Sequence, residues 1–480
     1  MTRDRRTFLS ASFGVTAAVA SRTSRLVTPA YATSFPTSPG GNISSDPDAR
    51  TAAADDFGRL VHKQPRAVLR PASSADIASL MRWAKNQGVK VTARGQGHSV
   101  YGRVLTEDGI VIDMSAMSKV RDVGAHRIVV DAGVTWGSVL DATLAQGLTP
   151  PVLTNYLGLS VGGTIAVGGI GGTSSRYGLQ TDHVVELGVV TGDANELKCS
   201  AVANPDLFNG ILAGLGQCGI VTQTTLRLVR APERVRRFQL FYRDLPSLTA
   251  DQRRLLAEDR FDQLQGAVLP DGRGDWKYQL EGAVSYSSDT APDNEALLSS
   301  LADERSAAVI ADLSYPEDAV AFAKFENLLR SKGQWFNPKP WLFTFLRGSN
   351  AEQVAGEILA RLTSEDVGPF GRLTYYPMRT GACRTPLTRL PDEGVSLRSM
   401  SSASRRRMMR QRWRNWSHET ARFTIVFATL AASSIRLAPF QCHRTTGEII
   451  SDRPGQCFAR PSGAMIRETC SHPVIMYSDG

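Results

Sequence analysis

The sequence of 480 residues contains no uninterrupted apolar run near the ~20 residues that a membrane-crossing helix needs, which excludes a polytopic membrane protein. Its six cysteines are too few for a disulfide scaffold of this length. It has no helix-turn-helix, zinc or RNP pattern and no visible internal repeat. An even distribution of its positive charge is missing as well. The formal net charge is +9, but residues 1–32 carry +4 and residues 394–480 carry +8, leaving the body between them at −3. A mildly acidic body excludes a nucleic-acid-binding role, and no such partner is expected. What remains is ordinary globular composition, 42 % hydrophobic and 21 % charged, with 42 glycines that gather in a few places. The length suits two or three domains.

The N-terminus has Arg5-Arg6-Thr7-Phe8-Leu9, a weakly apolar stretch to Ala20, and Ala30-Tyr31-Ala32 at the spacing a signal peptidase cuts. This resembles a twin-arginine export signal over 1–32, and implies a periplasmic or secreted protein. Residues 33–54, rich in Ser, Pro, Gly and Asp, are expected to form a linker.

From residue 66, short apolar runs alternate with helical segments. Ser73 to Asp76 supplies a cap, and Ile77, Leu80, Met81 and Ala84 form one apolar helical face that stops at Gly88. Val89–Thr92, Ile110–Asp113, Ile128–Asp131, Val184–Thr191 and Ile220–Val229 are expected strands, and Thr135–Gln146 an expected helix. An α+β domain over 55–235 follows. Beyond Pro232 the composition shifts to aromatic-rich strands (Phe238–Tyr242, Tyr278–Tyr286, Trp341–Leu346) and helices (251–258, 293–302, 317–330, 350–362). These predict a second α+β domain over 236–430, with 431–480 as a divergent C-terminal segment.

Two glycine clusters carry most of the functional signal. Arg94-Gly95-Gln96-Gly97-His98-Ser99 follows a strand, and alternating glycines let backbone N–H groups approach phosphate oxygens. No helix starts at the next glycine, so this is not a dinucleotide fingerprint. The second cluster, Leu159 to Ser175, holds six glycines between 162 and 172, interleaved with Val and Ile. That pattern predicts an ordered wall of small side chains against which a flat cofactor can lie.

With Ala213-Gly214-Leu215-Gly216-Gln217-Cys218-Gly219-Ile220, these loops occur in the order and near the spacing of the FAD-linked oxidase superfamily typified by vanillyl-alcohol oxidase. Within it the sequence most resembles the cytokinin dehydrogenases. The resemblance implies a two-domain PCMH-type FAD-binding fold with a separate α+β substrate (cap) domain. It implies FAD bonded covalently through His98. It also implies cofactor contacts from Ala93, Gly95, Gln96, Gly97, Ser99, Ser160, Ala166, Ile170, Ile220 and Val221, and Arg103 stands where the family has a Gln. The implied reaction oxidises the C–N bond that joins the isoprenoid substituent to N6-isoprenoid adenines, with a quinone-like compound or oxygen as electron acceptor. A FAD-linked oxidase of another small molecule (a sugar, lactone or alcohol) and a catalytically weakened flavin-binding relative are the alternatives.

Two acids matter in that family. The first, a proton acceptor, is replaced here by Asn155 in Leu153-Thr154-Asn155-Tyr156-Leu157. An amide hydrogen-bonds but cannot serve as a carboxylate base. The second, near the substrate entrance, matches Glu281 in Tyr278-Gln279-Leu280-Glu281-Gly282. After Gly394 the sequence turns basic, with thirteen Arg and no Lys. The tail is either frame-shifted or a divergent basic surface segment. Pro454-Gly455-Gln456 matches the end of a family motif and would bring Gln456 to FAD. Cys442, Cys457 and Cys470 lack a C-x-x-C pair, so no metal site is expected.

Overall fold

The computed structural model describes residues 35, 36 and 40–401, and for 395–401 the backbone strand only. The export signal, most of the basic tail and Gln456 lie outside the described residues. No helix among the described residues is long and apolar enough to cross a membrane.

The N-terminal part holds two sheets. In the first, Ala67–Arg70, Ile110–Asp113 and Val91–Arg94 run parallel, and Asn42–Ser44 adds an antiparallel edge. Helix Ser74–Gln87 makes the crossover that parallel strands need. Ser73 and Asp76 form a capping box, and Gly88 ends the helix at φ 63°. Ile77, Leu80 and Ala84 are buried as their spacing predicts, and Met81 is half-buried at the rim. The second sheet is antiparallel, in the order Val120–Val123, Arg127–Asp131, Ile220–Arg227, Val184–Val190, Glu196–Ser200.

The C-terminal part is a seven-stranded sheet, in the order Val309–Ser314, Arg234–Tyr242, Trp276–Tyr286, Gln263–Pro270, Leu373–Arg379, Val395–Ser401, Leu342–Arg347. Its two faces differ in chemistry because strand side chains alternate. Phe238, Leu240, Leu264, Leu280 and Tyr375 pack into one core with helices Leu245–Glu258 and Ala351–Leu359. The opposite face carries Arg237, Gln263, Gln265, Gln279 and Glu281, with Val235 and Ala283 at one end. There Leu140, Leu153 and Leu157 of the N-terminal part cover Val235, Ala283 and Tyr315 in a smaller core. The polar face is therefore turned toward the glycine-rich loops.

Several expectations need correction. Residues 33–54 are not simply a linker, because strand Asn42–Ser44 and helix Pro47–Ala52 occupy part of them. Asp46 caps that helix and Pro47 sits in its first turn, so residues that suggest a loop are instead start signals. The helix expected over 317–330 is two helices, Tyr315–Ala319 and Phe322–Ser331, and that over 293–302 shrinks to Asn294–Leu298. Strands Gln263–Pro270, Val309–Ser314 and Leu373–Arg379 escaped prediction. Gln263–Pro270 mixes Gln, Gly and Pro, and only pairing on both sides makes it a strand.

Candidate active site

The site is built where the two glycine clusters meet the polar sheet face. Strand Val91–Arg94 ends in the Gly95–Gly102 loop, which is clasped by the segment after Asp55. The N–H of Phe57 donates to the Gly97 carbonyl at 2.8 Å, and that of Gly58 to the Ser99 carbonyl at 3.1 Å. Buried Asp56 accepts from the Gly102 N–H at 2.8 Å and from the Ser99 hydroxyl at 3.5 Å. Burial raises the pKa of its carboxyl against those hydrogen bonds. Arg94 donates to the Asp55 carbonyl at 2.7 Å and lies against Gly97, where a Cβ would strike the guanidinium.

Two glycines are dictated by close approach. At Gly95 a Cβ would overlap the Ser160 hydroxyl, so the two glycine clusters touch at that point. At Gly171 a Cβ would overlap the Leu153 carbonyl, two residues before Asn155. The wall itself is ordered. Val161 and Ile165 are buried in a short helix, and the carbonyls of Ile165 and Ala166 accept from Ala213 at 2.9 Å and Leu215 at 2.8 Å. Ala213 and Leu215 hold φ of 56°, uncommon for residues other than glycine and a form of strain that clusters at ligand sites. Val167 and Leu215 stay 56 % and 43 % exposed along this wall.

His98 is half-buried in an aromatic cluster. Its ring stacks on Phe57 at 3.7 Å and 17°, with Tyr156 at 4.8 Å and Trp335 and Trp341 each at 5.9 Å. Burial pushes the imidazole pKa down to about 3, and the Lys339 and Arg330 charges push the same way. The ring is therefore neutral across the physiological range. Tyr156 lies near Arg330 and Glu326 of helix Phe322–Ser331, which pair with each other at 2.8 Å. Burial is the largest cause of the raised pKa of its phenol.

A second group sits beside it. The exposed Asn155 donates through Nδ2 to Gln265 Oε1 at 3.2 Å. Gln265 faces Glu281 directly across the antiparallel ladder. Glu281 accepts from Gln279 at 2.8 Å and from Arg372 at 3.1 Å. Neighbouring residues thus serve both groups, Tyr156 the histidine cluster and Asn155 the sheet face.

Ser160 is nearly buried against Gly95, and Ala166 and Ile170 lie half-buried on the wall. Ile220 and Val221 begin the strand that pairs with Val184–Val190. Ala93 lies in the edge strand of the first sheet, one residue before its end, Gln96 is exposed on the loop, and Arg103 is exposed just after Gly102. Sequence reasoning missed Phe57, Tyr156, Gln265, Trp335, Lys339, Trp341 and Arg372. For Trp335 to Trp341 a signal existed, two tryptophans and two prolines around one lysine, but nothing local ties that stretch to residue 98.

Comparison with known proteins places the fold among FAD-binding proteins. Residues 65–200 match the model of an FAD binding domain, and 269–396 match that of cytokinin dehydrogenase 1, FAD and cytokinin binding. Cytokinin dehydrogenase 10 of Oryza sativa subsp. japonica is 36 % identical over 74 % of this chain and 72 % of its own. The uncharacterized oxidoreductase ORF5 in the fasciation locus of Rhodococcoides fascians is 39 % identical over 71 % of this chain and 78 % of its own. In structure, 6-hydroxy-D-nicotine oxidase from Arthrobacter nicotinovorans aligns with TM-score 0.61 at 21 % identity, covering 76 % of this chain and 81 % of that one. The residues present fit FAD. The wall offers backbone and exposed apolar side chains to a flat ring. The buried Trp341 Nε1, which has no hydrogen-bond partner among the described residues, is a donor awaiting an acceptor.

Proposed function

Given that the protein belongs to the cytokinin dehydrogenase family of FAD-dependent oxidoreductases, we propose that it oxidises the C–N bond between N6-substituted adenines and their N6 substituent, with FAD covalently attached through His98. The observation that carries this reading is the adjacency of Asn155 and Tyr156, which sets the substrate-facing amide beside the aromatic cluster of His98. When bound, FAD accepts the hydride that leaves the carbon next to nitrogen. The protein's own residues bind and orient. Asn155 Nδ2 is engaged by Gln265, so its Oδ1 is left to accept from a substrate N–H. Glu281, fixed by Arg372 and Gln279, offers a carboxylate on the same sheet face. A quinone-like compound or oxygen takes the electrons afterwards.

Asn155 favours a second reading, a relative that binds the adenine and turns it over poorly, because an amide cannot take up the amine proton. Anaerobic mixing of the flavin-loaded protein with N6-isopentenyladenine separates the readings. Bleaching of the flavin absorbance is expected. Adenine binding with no bleaching selects the weakened relative, and bleaching only by a sugar, lactone or alcohol moves the protein to another substrate.

Export by the twin-arginine route belongs to the same proposal, supported by Arg5-Arg6 ahead of an apolar segment and Ala30-Tyr31-Ala32. Changing Arg5 and Arg6 together to Lys is expected to leave the precursor in the cytoplasm. Immunoblots of cell fractions check it, and unchanged export of the double variant refutes it.

A further inference from the structure

The polar row on the C-terminal sheet has a direction. Gln265 stands in the middle of it, 8 % exposed, with Oε1 turned to Asn155 Nδ2 at 3.2 Å. Its backbone is fixed on both sides. Strand Gln263–Pro270 pairs with Trp276–Tyr286 along its length, and Ala267 and Val268 pair with Thr374 and Leu373 beyond. The Leu264 N–H also donates to the Gly172 carbonyl of the glycine wall at 3.3 Å. Gln263 is held by Arg237 at 3.5 Å and by Asp318 at 3.4 Å. The loop that carries Asn155 rests on the same wall, where a Cβ at Gly171 would overlap the Leu153 carbonyl. The strand of Gln265 and the loop of Asn155 are therefore seated on adjacent wall residues, 171 and 172.

Across the ladder Gln265 faces Glu281, which accepts from Gln279 at 2.8 Å and from Arg372 at 3.1 Å, both on Oε1. A carboxylate only accepts, so of the two ends of the Gln265 amide the N–H end is the favourable one toward it. Residues directly opposite in an antiparallel pair have Cβ atoms about 5 Å apart, close enough for that preference to act. Oε1 is then the end that faces Asn155. Asn155 meets it with Nδ2, and Oδ1 remains for the occupant of the site. An asparagine without such a neighbour presents either end at similar cost, because the two ends of an amide are nearly alike in size and shape.

We propose that Gln265 is a positioning residue that fixes the hydrogen-bonding sense of Asn155. The site then presents an acceptor, and it selects ligands with an N–H between ring and substituent over isosteres with an ether oxygen there. This rests on the reading that Asn155 faces an N6-substituted adenine. An N–H meets Oδ1 as donor to acceptor. An ether oxygen meets Oδ1 as acceptor to acceptor, and relief of that mismatch requires Asn155 to turn, which sets Oδ1 against Gln265 Oε1. Gln265 must then turn as well and direct its own oxygen toward Glu281. Rejection of the ether therefore comes from Gln265 and Glu281 acting through Asn155, and not from Asn155 alone.

The test uses flavin-loaded full-length protein and two purines that differ only in the linking atom, 6-anilinopurine with an N–H and 6-phenoxypurine with an ether oxygen. In both, the linked carbon is aromatic and carries no hydrogen, so neither can be dehydrogenated and calorimetry reads binding alone. The wild type is expected to bind the anilino compound at least about 10-fold more tightly, because the ether leaves Oδ1 facing a lone pair. Gln265→Leu removes the acceptor and releases the Asn155 amide. The ratio of the two Kd values is expected to shrink by about 3- to 10-fold, the worth of one hydrogen bond. A site that is merely loosened weakens both purines alike and leaves the ratio unchanged. A Gln265→Leu ratio equal to that of the wild type therefore overturns the inference. If the leucine variant does not hold its flavin, Gln265→Met takes its place under the same criterion. Equal affinity of the wild type for the two purines also overturns the inference while leaving adenine binding intact. Binding of neither purine rejects the adenine reading itself, and the inference falls with it.

Discussion

Asn155→Asp is expected to raise kcat/KM for N6-isopentenyladenine by ~10-fold or more, the low end of what a general base contributes. The exchange replaces an amide nitrogen by oxygen with almost no change in volume. Asn155 is exposed toward the polar sheet face, so a carboxylate there is hydrated enough to be ionised at neutral pH. The Nδ2 donation to Gln265 Oε1 is lost, but Gln265 can turn its amide and donate to the new oxygen. The site therefore keeps its shape while gaining a proton acceptor beside Tyr156 and His98. Rates of anaerobic flavin bleaching on loaded protein isolate the chemical step from folding yield. An unchanged bleaching rate in a variant that binds the adenine normally rejects a base at this position.

His98→Ala is expected to take covalent flavin from about one per molecule to none. In the described structure the imidazole is held by Phe57, Tyr156, Trp335 and Trp341 at the end of the Gly95–Ser99 loop. Two of the other six histidines show the contrast. His62 pairs with Asp55, and His183 meets the Tyr177 carbonyl. Acid precipitation should release all flavin from the variant and leave it on the wild type. The glycine loop and the wall are untouched, so dissociable FAD should still bind. Covalent flavin persisting in His98→Ala assigns the link to another residue.

The glycine clusters were legible in the sequence because they answer to a local demand. A backbone that must approach a ligand or another backbone excludes Cβ, and Gly95 against Ser160 and Gly171 against Leu153 meet that demand. The helix Ser74–Gln87 was legible for the same reason, since its cap, its apolar spacing and its terminal glycine lie within one segment. His98 and Asn155 could be singled out by resemblance of short motifs, each contained in a few residues.

The partners of those residues were not legible, because they come from distant parts of the sequence. Gln265 reaches Asn155 across 110 positions and sits opposite Glu281 only through strand register. Lys339 meets the Phe57 ring from a loop whose backbone N–H is held by the Gly58 carbonyl, about 280 positions away. Periodicity reports which face of a strand is apolar, and composition reports that a loop is rich in proline and tryptophan. Neither reports what stands opposite. The sequence by itself determined the FAD-binding character and the two-part α+β organisation, both properties of contiguous residues. Only the tertiary structure decided that the buried cation Lys339 stands over the Phe57 ring that stacks on His98, and that Asn155, Gln265 and Glu281 form an amide–carboxylate row, because those depend on contacts between segments far apart in the sequence.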